Sequence, residues 1–124
     1  MTIEEINMNR VLVCGSRDYT NVSKIKQEME KLPPGTIIIE GGALGADSIA
    51  RQLAGTLNLQ SIRFPAEWGK YGNRAGYIRN KQMLVEGKPT LVLAFFKDRH
   101  HSRGTTDMVR QARKEGIDTL EFEG

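Results

Sequence analysis

The chain has 124 residues, 39% hydrophobic and 27% charged, with a formal net charge of +3. That make-up suits one globular domain and excludes an intrinsically disordered, collagen-like or coiled-coil protein. The longest apolar run, Thr90 to Phe96, is strand-sized and far short of the ~20 residues a membrane span needs, so no membrane partner is expected.

The expected elements alternate between strand and helix. Residues 1–8 read as a loosely held leader, acidic and leading into no signal segment. Arg10 to Cys14 is a buried strand ending at Gly15. Thr20 or Asn21 caps a helix through Leu32, with Val22, Ile25, Met29 and Leu32 at helical spacing, and Pro33-Pro34-Gly35 stops it. Thr36 to Glu40 is a second strand. A glycine cluster leads into a helix from Ala46 to Leu57, and Gln60 to Phe64 is a third strand closed by Pro65. Ala66 to Gly76 reads as a loop and Tyr77 to Glu86 as a helix. Thr90 to Phe96 is the fourth strand. A polar loop from Lys97 to Gly104 opens a helix from Thr105 to Lys114, and Ile117 to Phe122 is a fifth strand. Strands joined by helix-length crossovers predict an α/β fold: one Rossmann-like domain over residues 1–124, an open parallel sheet of about five strands with helices on both faces.

Charge is unevenly distributed. Between Arg63 and Lys114 twelve Lys or Arg face four acids, whereas the last ten residues carry four acids and no Lys or Arg. This pattern is either a solvated surface or a cationic concavity for phosphate-bearing ligands. Cys14, the single cysteine, can form no internal disulfide, so a cytoplasmic location is expected. Adjacent His100 and His101, with no cysteine near them in sequence, do not make a metal site, and no cofactor is expected.

In an open parallel sheet, ligands bind beyond the carboxyl ends of the strands. Three polar, glycine-bearing segments follow expected strand ends. The first is Gly15-Ser16-Arg17-Asp18, in which Ser16 and Arg17 are candidate phosphate ligands. The second is Gly41 to Asp47, in which Gly41, Gly42 and Gly45 either cradle an anion or make a tight turn. There Asp47 either caps the helix or reads a ribose hydroxyl. The third runs from His100 to Asp107, where Gly104, Thr105 and Thr106 make a second cradle or an N-cap. Trp68 and Tyr71 either stack on a base or pack on the sheet edge, and Arg79, with Asn80 beside it on a helix, either faces the strand ends to hold phosphate or makes a surface salt bridge with Glu86 or Glu67.

Cys14-Gly-Ser-Arg-Asp18, Glu40-Gly-Gly-Ala-Leu-Gly-Ala-Asp47, Phe64-Pro-Ala-Glu-Trp-Gly-Lys-Tyr-Gly72, Ile78-Arg-Asn-Lys-Gln-Met83 and Gly104-Thr-Thr-Asp-Met108 resemble the YspA-like, cpYpsA-related branch of the SLOG superfamily. That superfamily also holds the Lonely Guy phosphoribohydrolases and the DNA-processing protein A recombination mediators. The resemblance implies a Rossmann-like fold that binds nucleotides or nucleotide-derived molecules. Against the Lonely Guy pattern, Arg79 and Met83 match while Asn80 replaces Lys. His101-Ser102-Arg103 replaces Pro-Gly-Gly, and the catalytic Glu position falls on Met108.

The expected partner is therefore a nucleotide-derived small molecule, held by a sensor or sequestering protein. The alternative is a phosphoribohydrolase, with Arg79 and Asp107 (or Glu67) as its catalytic residues. A third reading is a single-stranded DNA-binding module. A homodimer through the helix carrying Tyr77, Ile78, Met83, Leu84 and Val85 is also expected, because a sheet covers only one stripe of a helix.

Overall fold

A computed structural model describes residues 10–124; the expected leader at residues 1–8 lies outside the described residues. Five strands form one sheet: β1 (Arg10–Gly15), β2 (Ile37–Glu40), β3 (Gln60–Arg63), β4 (Leu91–Phe96) and β5 (Asp118–Glu123). All neighbours are parallel and the order is β3-β2-β1-β4-β5. The crossovers contain α1 (Val22–Met29), α2 (Ala46–Thr56), a one-turn α3 (Trp68–Tyr71), α4 (Ala75–Gly87) and α5 (Arg103–Lys114).

Successive strand residues point to opposite faces, and here both faces are covered. Val11, Val13, Ile38, Leu93 and Phe95 meet α1 and α2 through Ile25, Met29, Ala50 and Leu53. Leu12, Cys14, Ile39, Val92, Ala94 and Phe96 meet α4 and α5 through Met83, Leu84, Met108 and Ala112. The central strands β1 and β4 are therefore apolar without alternation. The edge strands are more exposed, and their residues alternate in burial over most of their length.

Three boundaries differ from the sequence expectation. The first helix ends at Met29 rather than Leu32, because Lys31 and Leu32 donate to carbonyls only three residues back and tighten the chain into Pro33. The segment 66–76 is not plain loop: it holds α3, a 3-10 turn at Gly72–Arg74 and the start of α4, where Ala75 is buried. The last helix begins at Arg103 with Ser102 as its N-cap residue, two residues before Thr105.

The chain runs outward from β1 to β2 and β3, then returns to the other side of β1 for β4 and β5. The direction reverses between β1 and β4, and the crevice this opens at their carboxyl ends is where such sheets receive ligands. Phe95 anchors that end of the sheet: it is fully buried, stacks on Phe122 with centroids 5.0 Å apart and tilts against Tyr19 at 5.6 Å. Phe95→Ala is expected to cost about 3–5 kcal/mol of unfolding free energy, read from urea denaturation.

Candidate functional site

At the switch point the tips of β1 and β4 are held by Ser16, which is buried. Its backbone N–H donates to Phe95 O at 2.9 Å and its carbonyl accepts from Tyr19 and Ala46. Its hydroxyl accepts from Lys97 N–H at 3.0 Å and lies 2.5 Å from Ser102 Oγ. Ser102 Oγ in turn donates to the Asp98 carbonyl at 3.2 Å, so the proton between the two serines belongs to Ser16. The result is a continuous relay from Lys97 N–H through Ser16 and Ser102 to Asp98 C=O. Ser16, a candidate phosphate ligand in the sequence, has its polar atoms in this relay.

The Gly41–Asp47 loop is filled by the chain's own carboxylates. Asp47 Oδ2 accepts from Gly41 N–H at 3.1 Å and Ala43 N–H at 3.2 Å, and Glu40 Oε1 accepts from Gly42 N–H at 2.6 Å. Fully buried Glu40 also takes Arg63 Nε at 3.1 Å. Gly45 packs under the β1–α1 loop with φ +78°, and a Cβ there would fall 2.5 Å from the Arg17 carbonyl oxygen. The amides of Gly41, Gly42 and Ala43 thus point at carboxylates and not into open space. Burial pushes the Asp47 carboxyl up to about 6, against the pull of the Ala43 and Gly41 amides and the Arg79 charge.

α4 contributes Arg79 and Asn80. Arg79 Nη1 donates to the Gly41 carbonyl at 2.6 Å and Nε to Asn80 Oδ1 at 3.2 Å. Gly41 must be glycine for this approach, since a Cβ would lie 2.7 Å from the guanidinium carbon. Asn80 Nδ2 bonds Gly104 O at 3.0 Å and Asp107 Oδ2 at 3.1 Å, tying α4 to the first turn of α5. Burial lowers the Arg79 guanidinium from its ordinary value; Asp47 opposes this and Arg17 adds to it. Among the described residues no carboxylate forms an ion pair with Arg79.

These elements enclose a cleft of about 570 Å³, lined among others by Gly15, Arg17, Asp47, Trp68, Arg79, Asn80, Gly104 and Thr105. The Arg17 guanidinium lies 5.3 Å from the centroid of the half-exposed Trp68 ring, within cation–π range. Arg17 and Arg103 form no ion pair among the described residues. The N-terminus of α5 has no side-chain cap, because the Ser102 hydroxyl is engaged by Asp98 and Ser16. Among the described residues, the amides of Arg103, Gly104 and Thr105 find no acceptor. Open amides at a helix start beside cations are the elements of an anion site.

The structure thus brings Gly15, Arg17, Asp47, Trp68, Arg79, Asn80, Gly104 and Thr105 to one cleft, and places Ser16, Gly41, Gly42 and Gly45 behind its wall. Thr106 and Asp107 border a shallower hollow outside it. Asp107 Oδ1 accepts from Arg110 at 2.6 Å, and Oδ2 from Gln111 at 2.7 Å as well as from Asn80. Ser102, Arg103 and Glu40 are structural or lining residues that sequence reasoning missed. Cys14 is buried at the cleft floor, and burial raises its thiol. No group of three or more His, Cys, Asp or Glu among the described residues is placed to hold a metal ion. No described helix is long and apolar enough to cross a membrane.

A parallel sheet of this order, with a cleft at its reversal point, defines a Rossmann-like α/β protein. The model of the YspA, cpYpsA-related SLOG family matches residues 9–71, and the chain belongs to that family. The match spans the Ser16–Arg17 and Gly41–Asp47 segments and Trp68, and ends before Arg79. The chain is 36% identical to the Gene 61 protein of Mycobacterium phage D29, over 93% of this chain and 97% of that one. Its fold is similar to that of DNA processing protein A (DprA) from Streptococcus pneumoniae, with a TM-score of 0.70 and 18% identity. That similarity covers 99% of this chain but 53% of DprA, about half its length.

The Asp47 carboxyl makes a pH prediction. Its folded value of about 6 lies above the ordinary 3.8, so between these the folded state binds more protons and stability falls as pH rises. The span corresponds to a loss on the order of 3 kcal/mol. Asp47→Asn keeps an oxygen for the two amides, so its urea midpoint relative to wild type is expected to climb from pH 4 to pH 7. A constant difference between the two proteins across that range would contradict this.

Proposed function

We propose that the cleft binds a nucleotide-derived ligand through its phosphate and holds it as a sensor or sequestering protein. The observation that carries this is the open start of α5, facing the same cleft as Arg17 and Arg79. Family membership supports the same ligand class. In this reading the amides of Gly104 and Thr105, with the Thr105 hydroxyl, donate to the phosphate oxygens; Arg17 and Arg79 neutralise their charge; Asp47 reads a ribose hydroxyl; and Trp68 flanks the base. Asn80 and the buried carboxylates of Glu40 and Asp47 position these groups. Asp107, held by Arg110, Gln111 and Asn80, has both oxygens engaged, which favours ligand holding over phosphoribohydrolase chemistry through that residue.

Calorimetry against nucleoside mono- and diphosphates, ADP-ribose and cyclic nucleotides tests the reading, and Trp68, the only tryptophan, supplies an intrinsic fluorescence signal. Arg17→Ala removes no hydrogen bond of the fold, so it is expected to leave the melting temperature in place. It should weaken binding about 10-fold or more, as loss of a charge-assisted hydrogen bond does. Failure of the whole panel to bind at millimolar concentration would sink the reading.

A homodimer is proposed through the outer face of α4. Met83 and Leu84 are buried in the core, leaving Tyr77, Ile78 and Val85 as the exposed apolar residues of that helix, with Val85 at 61% exposure. Light scattering over a tenfold dilution should give twice the chain mass, and Val85→Lys should halve it; a monomer at every concentration would refute the assembly.

A further inference from the structure

β4 reaches α5 through a 3-10 turn, Arg99–His101, that stands at the mouth of the cleft. Asp98, at the head of that turn, is fixed on both sides. Its Oδ1 accepts from His100 N–H at 2.9 Å and its Oδ2 lies 2.7 Å from His101 Nδ1. Its carbonyl accepts from the Ser102 hydroxyl and from His101 N–H, so the turn is anchored to the relay that joins β1 to β4. The His100 amide, then the His101 ring, holds the Asp98 carboxyl below its ordinary value, so it is ionised at neutral pH. An ionised carboxylate only accepts, so Nδ1 of His101 carries a proton, and in the neutral ring the lone pair is on Nε2. The ring is 81% exposed, which leaves Nε2 accessible to a bound molecule. Such a carboxylate–imidazole pair is the arrangement that holds an imidazole in one tautomer for proton transfer.

His101 immediately precedes Ser102, the N-cap residue of α5, whose first amides are open. A phosphate on those amides would share the cleft with the imidazole, which also lines it, and phosphorus is the electrophile that a phosphate ester or anhydride offers there. We propose that the cleft hydrolyses a P–O bond of its ligand, a phosphodiester or phosphoanhydride, with His101 as the catalytic residue and Asp98 as its positioning residue. Water oxygen attacks phosphorus while its proton moves to Nε2. The bond from phosphorus to the leaving oxygen breaks on the opposite side; that oxygen leaves as a phosphate anion or takes a proton from solvent, and Nε2 returns its proton to solvent. The products are a phosphate monoester and an alcohol, or a second phosphate, with no oxidant or further reactant consumed. The open α5 amides and Arg17 hold the non-bridging oxygens, whose charge grows as water adds. The charged and titratable groups that share the turn or the cleft with the ring are Asp98, Arg99 and His100 on the turn, Arg103 on α5, Arg17 and Asp18 on the β1–α1 loop, Asp47 on α2 and Arg79 on α4.

This rests on the anion-binding reading of the cleft but puts turnover in place of sequestering, and the experiment separates the two. ADP-ribose, a 2′,3′-cyclic nucleotide and a dinucleoside monophosphate are incubated with the full chain in 18O-water. Products are followed by phosphorus NMR and mass, and binding by calorimetry. Cleavage of at least one probe is expected, with the heavy oxygen on the phosphate product. His101→Ala should retain binding but lose about 10²- to 10⁴-fold in rate, with partial rescue by added imidazole. Asp98→Asn keeps a cap oxygen but removes the charge that favours the imidazolium. The limb on which kcat/KM rises with pH should therefore move to lower pH, which a merely structural role for Asp98 would not do. Probes that bind but stay intact, or His101→Ala turnover at the wild-type rate, overturn the proposal and leave the binding reading standing. Failure of every probe to bind overturns both.

Discussion

The arrangement of the cleft depends on one hydrogen-bond relay, from Lys97 N–H through the Ser16 and Ser102 hydroxyls to the Asp98 carbonyl. At the switch point β1 and β4 stay paired through Gly15 and Phe95, and it is the loops beyond them that part toward opposite faces of the sheet, so side chains must fix how those loops sit. Ser16 does this from β1, and the same residue receives the first amide of α2 on its carbonyl. One buried serine thereby sets two strand tips and the starts of two helices. Buried hydroxyls with every partner satisfied favour a single geometry, because any slip leaves a donor or acceptor unpaired in a dry environment.

A consequence follows for α5. A serine at an N-cap ordinarily turns its oxygen to the amides two or three positions ahead, but the Ser102 oxygen is engaged backward, by Asp98 and Ser16. The helix start is left with open amides and a partial positive charge, beside Arg17, Arg79 and Arg103. Across the cleft the situation is reversed: Glu40 and Asp47 deliver carboxylates to the amides of the glycine loop. Two loops at neighbouring strand ends therefore carry opposite electrostatic roles. One is internally neutralised and forms a wall; the other is unneutralised and forms the receiving surface.

Much of the fold was legible in the residues. β1, β2 and β4 showed as short runs of Val, Ile and Leu because burial on both faces removes the polar alternation of a half-exposed strand. The α1 and α2 stripes showed because one face of each meets the sheet. The site was legible only to the level of segments. Gly41, Gly42 and Gly45 look like an anion cradle in sequence, and nothing local says that Asp47, six residues after Gly41, returns to fill it. Ser16 beside Arg17 reads as a ligand group, while its partner Ser102 lies 86 residues away. The start of α5 lies two residues before the expected Thr105, because Ser102 and Thr105 are both acceptable caps and Gly104 between them reads as a break rather than as a first helical turn. Partner assignment across the sheet is a tertiary fact, and the local pattern of a polar loop is the same whether its amides face a carboxylate or solvent.

Arg79 shows how the wall and the receiving surface are coupled. Its guanidinium grips the Gly41 carbonyl on the filled side, and its neighbour Asn80 grips the Gly104 carbonyl and Asp107 on the open side. α4 therefore spans the cleft, and a rotation of that helix would change both edges together. Asn80 performs this bridging without charge: an amide both donates and accepts, so it takes Arg79 Nε on its oxygen and supplies its N–H groups to α5. A lysine there could supply donors only, would set a second cation against Arg79 and could not accept from it. The neutral residue orients the guanidinium and leaves its charge available to a ligand. An incoming anion would therefore meet a cation already positioned by two hydrogen bonds, with less side-chain freedom to lose than a solvent-exposed arginine would have.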